Sequence, residues 1–452
     1  MKKIIRKNEI ENLLNSFAWD YREIFIENSI KSNIRLLNWV IESSVINEEN
    51  GFSMLSRTWN LKYFKACSNL SNINKEVESF YKTYNLSSKD SKKVTLSWKD
   101  EFKLDSKNLK KDQKKFSAFL ELSKGIIDKE NIIVSYNVNF LLTSKNFIVG
   151  NTLGSFTEDE QYYNTLYISL KWKKWENIEE VMEKITWTDI CKNINKNTFL
   201  KTLKKAISKL KLTLDWANAP SGLMDVIIWN EAWGTIIHEA IWHWLEADLQ
   251  NSSVYRWKIW QKVAASDINV VDDPTLPNKR WAYSYDHEWT KTQKTYLIKD
   301  WILVSYLHNN STAELFNTKS TWHWRRESYK YTTLVRMWTT HLEPGPYKKE
   351  DLIKKVKEWI YISSMGWWQV NTITWDFVFQ VSFWYKIKDW KLWEVIKWWM
   401  ISWNWPEMLN NIFWICNDLE YFDWWTCWKW QQMPVSDGTP TILVKLKVTG
   451  KN

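Results

Sequence analysis

The sequence predicts an α+β protein, with a mixed N-terminal α/β domain over residues 1–215 and a sheet-rich C-terminal domain over residues 216–452. The length of 452 residues is enough for two or three domains. Hydrophobic residues make up 44% of the chain and charged residues 25%, as in ordinary globular proteins. Segments with strand and helix periodicity alternate in the first part, whereas short strand-like segments dominate the second.

The N-terminal segments show both periodicities. YREIFIENSIKSNIRLLN, residues 21–38, predicts two strands around a turn, and residues 91–104 and 131–152 predict further strands. Apolar residues recur at helical spacing in NLKKDQKKFSAFLELSKGI, residues 108–126, and in NKNTFLKTLKKAISKLKLTL, residues 195–214. These segments give the first domain its mixed character.

The C-terminal segments are mostly strand-like. Residues 215–249 predict a loop, a short apolar strand and a helix, and EDLIKKVKEWIYISS, residues 350–364, predicts another helix. Further short strands are predicted within residues 294–307, 375–403 and 440–450.

The cysteine pattern fits a cytosolic protein, and the charge pattern bears on possible partners. The net charge of +10 is spread as Lys among Asn, Ile and Glu, which is typical of a solvated surface and predicts no nucleic-acid partner. None of the four cysteines forms a C-x-x-C pair, which fits a reducing compartment. The N-terminus lacks the apolar region of a signal peptide, and no run of about 18 uncharged apolar residues predicts a membrane span.

The tryptophan content is abnormal, because the chain has 36 Trp and only 10 Gly, whereas glycine usually makes up about 7% of a protein. LIKDWILV and KDWKLWEV place Trp in predicted two-residue hairpin turns, where Asp-Gly is expected because a type I′ turn needs positive φ. We hypothesise that most of these Trp are glycines encoded by UGA, which some bacterial lineages read as Gly and a common translation table reads as Trp. The alternative is a Trp-rich carbohydrate-binding protein.

The helix within GTIIHEAIWHWLEADL, residues 234–249, carries a candidate metal motif. His238 and His243 are five residues apart, so on a straight helix at about 100° per residue they point about 140° apart. A π-type bulge would align them, and glycine at positions 242 and 244 would ease that distortion. The alternative is a chance pattern on an amphipathic helix.

The residue types in this motif suit zinc chemistry. Neutral imidazoles bind zinc well, and Glu239, directly after the first histidine, has the position of the general base in HExxH proteases. A catalytic zinc site needs a third protein ligand and an open position. Spacing does not choose among the candidates for the third ligand, which are Cys427, His287, His308, His323 and His341.

With glycine read at the Trp positions, several segments resemble the signatures of the TldD/PmbA family of metallopeptidases. The first is HEAIWHWLEADL. The others, in order, are VVDDPTLPNKRWAYSYDHEWTKTQ, TWHWRRESY, MGWWQVNTITWDFVFQVSFWY and DWWTCWKWQQMPVSDGTPTILV. Together these segments extend from Ala219 to about Thr449, whereas the N-terminal half matches only loosely.

The resemblance implies a zinc peptidase of the catalytic kind. It implies that His238, His243 and Cys427 are ligands of Zn²⁺ and that Glu239 is the catalytic glutamate. It also implies a cytoplasmic protein that cleaves short or unfolded peptides, as a homodimer or as a heterodimer with a paralogue that lacks the motif. A non-catalytic peptide-binding subunit of the same kind of assembly is the alternative.

Other matched positions have two interpretations each. Glu246 and Asp248 are candidates for orienting the histidine rings, or else solvent-facing helix charges. Arg325 and Arg326 are candidates for binding a peptide carboxylate, although a structural role is the favoured interpretation. The candidates for pairing an extended substrate by strand addition, with a tight turn as the alternative, are Gly366 and Gln369.

Overall fold

The computed structural model describes most of the chain. The described residues are 7–16, 20–42, 47–58, 61–84, 97–98, 107–174, 177–187, 194–214, 217, 220–232, 238, 243–276, 286–288, 291–355, 358–370, 376–389, 391–396 and 399–450.

The N-terminal half is built on one large sheet, to which eight strands of the described residues contribute. The path through the sheet is β4-β3-β1-β6-β7-β5, with β2 added beside β1 and β8 added beside β7. The strands are β1 Tyr21–Leu37, β2 Val40–Glu42, β3 Asn47–Arg57, β4 Lys62–Cys67, β5 Ser97–Trp98, β6 Ile133–Asn151, β7 Ser155–Lys174 and β8 Asn177–Trp187.

Helices accompany this sheet, and their apolar sides are buried. The helices are α1 Lys7–Leu14, α2 Ile73–Thr83, α3 Lys107–Ile127 and α4 Lys196–Leu212, with a 3-10 turn at Leu70–Asn72. Helix α4 begins after Asn195, whose side chain accepts a hydrogen bond from the Thr198 N–H (2.9 Å). Helices α3 and α4 lie where the helical spacing predicts them.

Strand β1 differs from the sequence prediction, because residues 21–37 form one continuous strand instead of two strands around a turn. The strand pairs with β3 along residues 21–31 and with β6 along residues 23–37, without a register shift. Two neighbours therefore hold the middle of the segment extended, and this tertiary pairing overrides the local turn signal.

The C-terminal half holds the remaining described sheets. Their paths are β12-β11-β10-β15-β22-β21, the pair β13-β14, and β16-β9-β23-β19-β17-β18 with β20 beside β23. The strands are β9 Gly222–Ile228, β10 Val270–Asp272, β11 Thr295–Lys299, β12 Ile302–Leu303, β13 Trp324–Arg325, β14 Leu334–Val335, β15 Thr339–Leu342, β16 Glu358–Val370, β17 Asp376–Lys388, β18 Lys391–Ile396, β19 Trp399–Asn404, β20 Ile412–Ile415, β21 Glu420–Trp428, β22 Gln432–Thr439 and β23 Ile442–Gly450. The described helices of this half are α5 Asn310–Leu315, α6 Lys349–Lys355 and α7 Trp405–Asn410, with 3-10 turns at His243–Leu245 and Ala247–Ser252.

The α+β class is confirmed. The largest hydrophobic cluster takes its buried members from residues 226–448, and the second takes its buried members from residues 30–210. The division at residues 215 and 216 stays a prediction. None of the described helices combines the length and the apolar character needed to cross a membrane.

The predicted helix at residues 350–364 is wrong in its second half. Helix α6 ends at Lys355, and residues 358–370 form β16. Ile360 and Ile362 are buried, and this part of β16 pairs with both β9 and β17. The burial of these side chains and the pairing with two neighbouring strands stabilise the strand more than the helical periodicity of this short segment favours a helix.

Several tryptophans occupy backbone positions that favour glycine. The two-residue loops Asn38–Trp39 and Asp300–Trp301 have positive φ at both residues, 42° and 71° in the first and 47° and 60° in the second. These values are those of type I′ hairpin turns, and they join β1 to β2 and β11 to β12. Positive φ also occurs at Trp257, Trp260, Trp322 and Trp430.

Candidate metal centre

Three side chains from distant parts of the sequence converge in the C-terminal half. Each of His238, His243 and Cys427 has a ligand atom within 4.8 Å of those of the other two, in the only such cluster among the described residues. His238 and Cys427 are buried, and the side chain of His243 is 14% exposed. His238 has a π-helical conformation, whereas His243 begins a 3-10 turn, and the residues between them lie outside the described part of the chain, so the predicted bulge stays a prediction. Glu239 lies outside the described residues.

An aspartate holds the His238 ring. The Nδ1 atom of His238 is 2.9 Å from Oδ1 of Asp437, and both side chains are fully buried. Asp437 lies on β22, in the strand pair that also carries Cys427. Because the Nδ1–H donates to a carboxylate, Nε2 is the ring nitrogen suited to bind a metal.

A glutamate holds the His243 ring in the same way. The Nδ1 atom of His243 is 3.2 Å from Oε2 of Glu246, a fully buried carboxylate. The opposite ring nitrogen, Nε2, is 3.0 Å from Sγ of Cys427. The two imidazole rings are 5.1 Å apart and nearly perpendicular. The Cys427 sulfur therefore faces the nitrogen that the Glu246 contact assigns to metal binding.

The sulfur and the His243 ring shift each other's protonation. Burial by itself lowers the pKa of His243, but the Cys427 thiolate and then Glu246 raise it to about 10. Burial raises the pKa of the Cys427 thiol, but His243, His238 and Arg336 hold it well below its usual range. These neighbours favour the thiolate form of Cys427, which is the form that binds metals.

Basic side chains surround Glu246. Its Oε2 is 2.9 Å from Nζ of Lys429, and its Oε1 is 3.6 Å from Nε of Arg336. Burial raises the pKa of Glu246, but Lys429 and then His243 lower it to about 2. Asp248 lies further from the histidines than Glu246 does. It contacts Lys429 Nζ at 2.7 Å, and no contact among the described residues joins it to either histidine.

Binding of a metal requires both imidazoles to lose the protons that their raised pKa values favour, and with neutral rings the described groups at this centre carry more negative than positive charge. The negative groups are the thiolate of Cys427 and the carboxylates of Glu246, Asp248 and Asp437. The positive groups are Arg336 and Lys429. Two negative charges are left over, which one divalent cation would neutralise. Two imidazoles and one thiolate are also a donor set that zinc prefers, so the residues present fit the ion.

The other histidine candidates lie elsewhere. His287 accepts a hydrogen bond from the Arg326 N–H (3.0 Å), and His308 contacts the hydroxyl of Thr312. His323 contacts Thr321, and His341 packs against the ring of Tyr421. In the described part of the chain, only Cys427 of the five candidates joins the two histidines of the motif.

Arg325 and Arg326 are buried and partnered. Arg325 donates to the carbonyl oxygens of Met337 and Pro434, and Arg326 is paired with Glu23 on β1. Both line a cleft of about 470 Å³ between the N-terminal sheet and β22. These contacts favour the structural interpretation, because each guanidinium already binds a protein oxygen.

Gly366 and Gln369 lie on β16. Gln369 is exposed and lies opposite Val378 of β17, and Gly366 lies within a register irregularity of the same pair. In the described pairing, β9 accompanies β16 only along residues 360–362. The predicted addition of an extended substrate strand therefore concerns the Gly366 end of β16, and it stays a prediction.

Sequence reasoning missed Asp437, Arg336 and Lys429. Asp437 is 199 residues from His238, so no helical or strand spacing links the two. The available signal was an aspartate within the strand-like QMPVSDGTPTILV, where a buried carboxylate needs a partner.

The fold and this cluster define an α+β protein with donor groups suited to a divalent transition metal. The family model described as "PmbA/TldA metallopeptidase C-terminal domain" matches residues 221–450, half of the chain. The chain therefore belongs to the PmbA/TldD family of metallopeptidases.

Similar proteins agree with this family. A metalloprotease TldD homolog from Buchnera aphidicola is 34% identical over 252 residues, covering 55% of this chain and 52% of the relative. A zinc metalloprotease TldD homolog from Saccharolobus solfataricus is 29% identical over 252 residues, covering 55% of each chain. The matches thus span about half the length of these relatives. The structure of TldE from Thermococcus kodakarensis has a TM-score of 0.76 at 15% identity, covering 98% of this chain and 99% of that one, which shows the fold alone.

Proposed function

We propose that the chain is a zinc-dependent peptidase in which His238, His243 and Cys427 hold Zn²⁺ and Glu239 is the general base. The observation that carries this proposal is the cluster of three donors within 4.8 Å, in which each imidazole is oriented by a carboxylate. A zinc ion at this place would polarise the scissile carbonyl and lower the pKa of a water molecule.

The protein's own groups have separate tasks in the proposed reaction. Glu239 takes a proton from the attacking water and passes it to the leaving amine. Asp437 and Glu246 fix the orientation and tautomer of the two imidazoles. The Cys427 thiolate supplies the negative ligand, which its neighbours keep deprotonated.

The substrate and the assembly are also part of the proposal. Short or unfolded peptides are the expected substrates, and no nucleic acid or membrane is an expected partner. The family resemblance carries the expectation of an assembly of two related chains, either a homodimer or a heterodimer with a paralogue that lacks the motif. We expect a cytoplasmic location.

The variant Glu239→Gln tests the role of the general base. We expect it to bind zinc as the wild type does and to lose at least about 100-fold of the hydrolysis rate, since general acid–base catalysis contributes about 10²–10⁴-fold. The measurements are zinc content after gel filtration and the cleavage rate of unfolded peptides.

Glu231→Gln is the matched control, because Glu231 precedes the motif but pairs with Lys205 at the surface. It should keep both zinc and activity. Full hydrolysis by Glu239→Gln would refute the proposed mechanism. A wild-type protein that binds peptides without zinc or hydrolysis would favour the non-catalytic subunit.

A further inference from the structure

Arg336 lies between the two segments of the chain that supply the proposed zinc ligands. The residue follows β14 and its side chain is fully buried. Its Nη1 atom donates to the carbonyl oxygens of Gln431 (3.0 Å) and Lys429 (3.4 Å), and Nη2 donates to the carbonyl of Cys427 (3.2 Å). One guanidinium thus binds the carbonyl oxygen of Cys427 and two carbonyl oxygens of the turn that follows β21.

The same guanidinium also faces the histidine side of the centre. Its Nε atom is 3.6 Å from Oε1 of Glu246, and the other oxygen of that carboxylate contacts Nδ1 of His243. The backbone N–H of Arg336 donates to the carbonyl oxygen of His323 (2.8 Å), which anchors the arginine itself. Arg336 therefore links the Cys427 turn to the Glu246–His243 pair.

The chemistry of arginine explains this arrangement. Three carbonyl oxygens that point into one buried space need donors, because unpaired buried carbonyls cost free energy. A guanidinium presents five N–H donors in a rigid plane and stays charged, whereas a lysine ammonium is a compact point charge. Only the planar group can bind the carbonyls of the turn and face Glu246 at the same time.

We propose that Arg336 is a positioning residue that sets the relative placement of the Cys427 sulfur and the His243 ring for metal binding. This inference rests on the proposed function, because it takes His243 and Cys427 as ligands. Without the guanidinium, the three carbonyl oxygens lose their donors, and only the Lys429 ammonium (2.9 Å) still joins the turn after Cys427 to Glu246. The placement of the Cys427 sulfur 3.0 Å from the His243 nitrogen would then be less firmly fixed before the metal arrives.

The test compares Arg336→Met and Arg336→Lys with the wild type, all loaded with Co²⁺ in place of Zn²⁺. The thiolate-to-cobalt absorption reports the bond to Cys427, and chelator competition gives the Zn²⁺ affinity. We expect Arg336→Met to lose about 10–100-fold in Zn²⁺ affinity, as for other groups that orient metal ligands, and to weaken the thiolate absorption. Arg336→Lys should fall between Arg336→Met and the wild type.

Arg22→Met is the matched control. Arg22 is as buried as Arg336 and donates to a backbone carbonyl, that of Leu14 (2.8 Å), but it lies in the N-terminal sheet. It should lower the stability to urea while keeping the cobalt spectrum and the Zn²⁺ affinity of the wild type. If Arg336→Met does not fold, Arg336→Lys carries the test, with a loss of affinity as the expected result.

Two outcomes separate the possible failures. A normal wild-type spectrum together with unchanged affinity and spectrum in the folded Arg336 variants would overturn the positioning role alone. A wild-type protein without thiolate-to-cobalt absorption would overturn the proposed metal site, and the role of Arg336 with it.

Discussion

At the scale of single residues, the ligand cluster is organised by the carboxylates behind the imidazoles. Asp437 and Glu246 each bind a histidine through Nδ1, so both rings present Nε2 to the same space. The Cys427 sulfur lies beside that space and is kept as a thiolate by the positive groups around it. On the proposed function, the three side chains are thus placed before the ion binds, which reduces the cost of ordering them.

The variant Asp437→Asn should weaken zinc binding by about 10–100-fold, because a neutral amide is a weaker acceptor for the His238 N–H than a carboxylate is. Isothermal titration with Zn²⁺ measures the change. The control is Asp225→Asn on β9, since Asp225 is partly exposed and its ion pair with Lys445 is long, at 3.9 Å. Equal affinities for the wild type and Asp437→Asn would show that Asp437 does not orient a ligand.

The residue types also explain which parts of the site the sequence reveals. His238 and His243 are close in the chain, so their spacing predicts a distorted helix if they share a metal, with a chance pattern on an amphipathic helix as the alternative. Cys427 was one of five candidates until the family resemblance favoured it. Asp437 contacts His238, and Arg336 contacts the carbonyl oxygen of Cys427, across long stretches of sequence. No local sequence pattern predicts such contacts.

At the scale of elements, local periodicity and tertiary pairing make different contributions. Helices α3 and α4 follow from the apolar spacing of their own residues, because each buries one side. Strands β1 and β16 do not, because flanking strands hold β1 extended through a predicted turn and convert the second half of a predicted helix into β16. Sequence patterns therefore predict these helices better than the extent of the strands.

The hairpin turns lead to a prediction about the chemical identity of the chain. A residue other than glycine in the left-handed region costs roughly 1–2 kcal/mol, and the six tryptophans with positive φ in the described part of the chain would each carry that cost. We expect peptides of the native protein to contain glycine at these positions. Mass spectrometry of peptides that include positions 39, 257, 260, 301, 322 and 430 measures this directly, together with the codons.

UGA codons and glycine masses at these positions would support the recoding hypothesis. UGG codons and tryptophan masses would contradict it, and the carbohydrate-binding alternative would then need a direct test with sugars.

At the scale of the whole molecule, buried polar contacts join the N-terminal sheet to the C-terminal half. Arg326 is paired with Glu23, and the backbone N–H of Tyr329 donates to Glu27 (2.8 Å), which also faces Lys145 at 3.3 Å. A Cβ atom at Gly51 of β3 would lie only 2.2 Å from the Tyr329 ring, so the close approach of the two halves requires glycine there.

Removal of the metal should lower the stability of the whole chain. Zinc that binds only the folded protein adds about 2.7 kcal/mol of stability when its free concentration is 100 times Kd. We expect added Zn²⁺ to raise the melting temperature of the metal-free wild type. Differential scanning calorimetry measures this, with Cys416→Ala as a control for loss of a buried thiol away from the centre.

The variant Cys427→Ala should respond far less to Zn²⁺, because it lacks one of the three donors. An equal rise in melting temperature for Cys427→Ala and Cys416→Ala would contradict the proposed role of Cys427.

The wide separation of the proposed ligands along the chain matters during synthesis. A ribosome makes His243 184 residues before Cys427, and His238 199 residues before Asp437. A nascent chain therefore has two histidines but neither the sulfur nor the aspartate until β21 and β22 emerge. On the proposed function, peptide cleavage begins only when β21 and β22 have folded into place. A nascent chain without these strands therefore does not cleave the unfolded polypeptides around it.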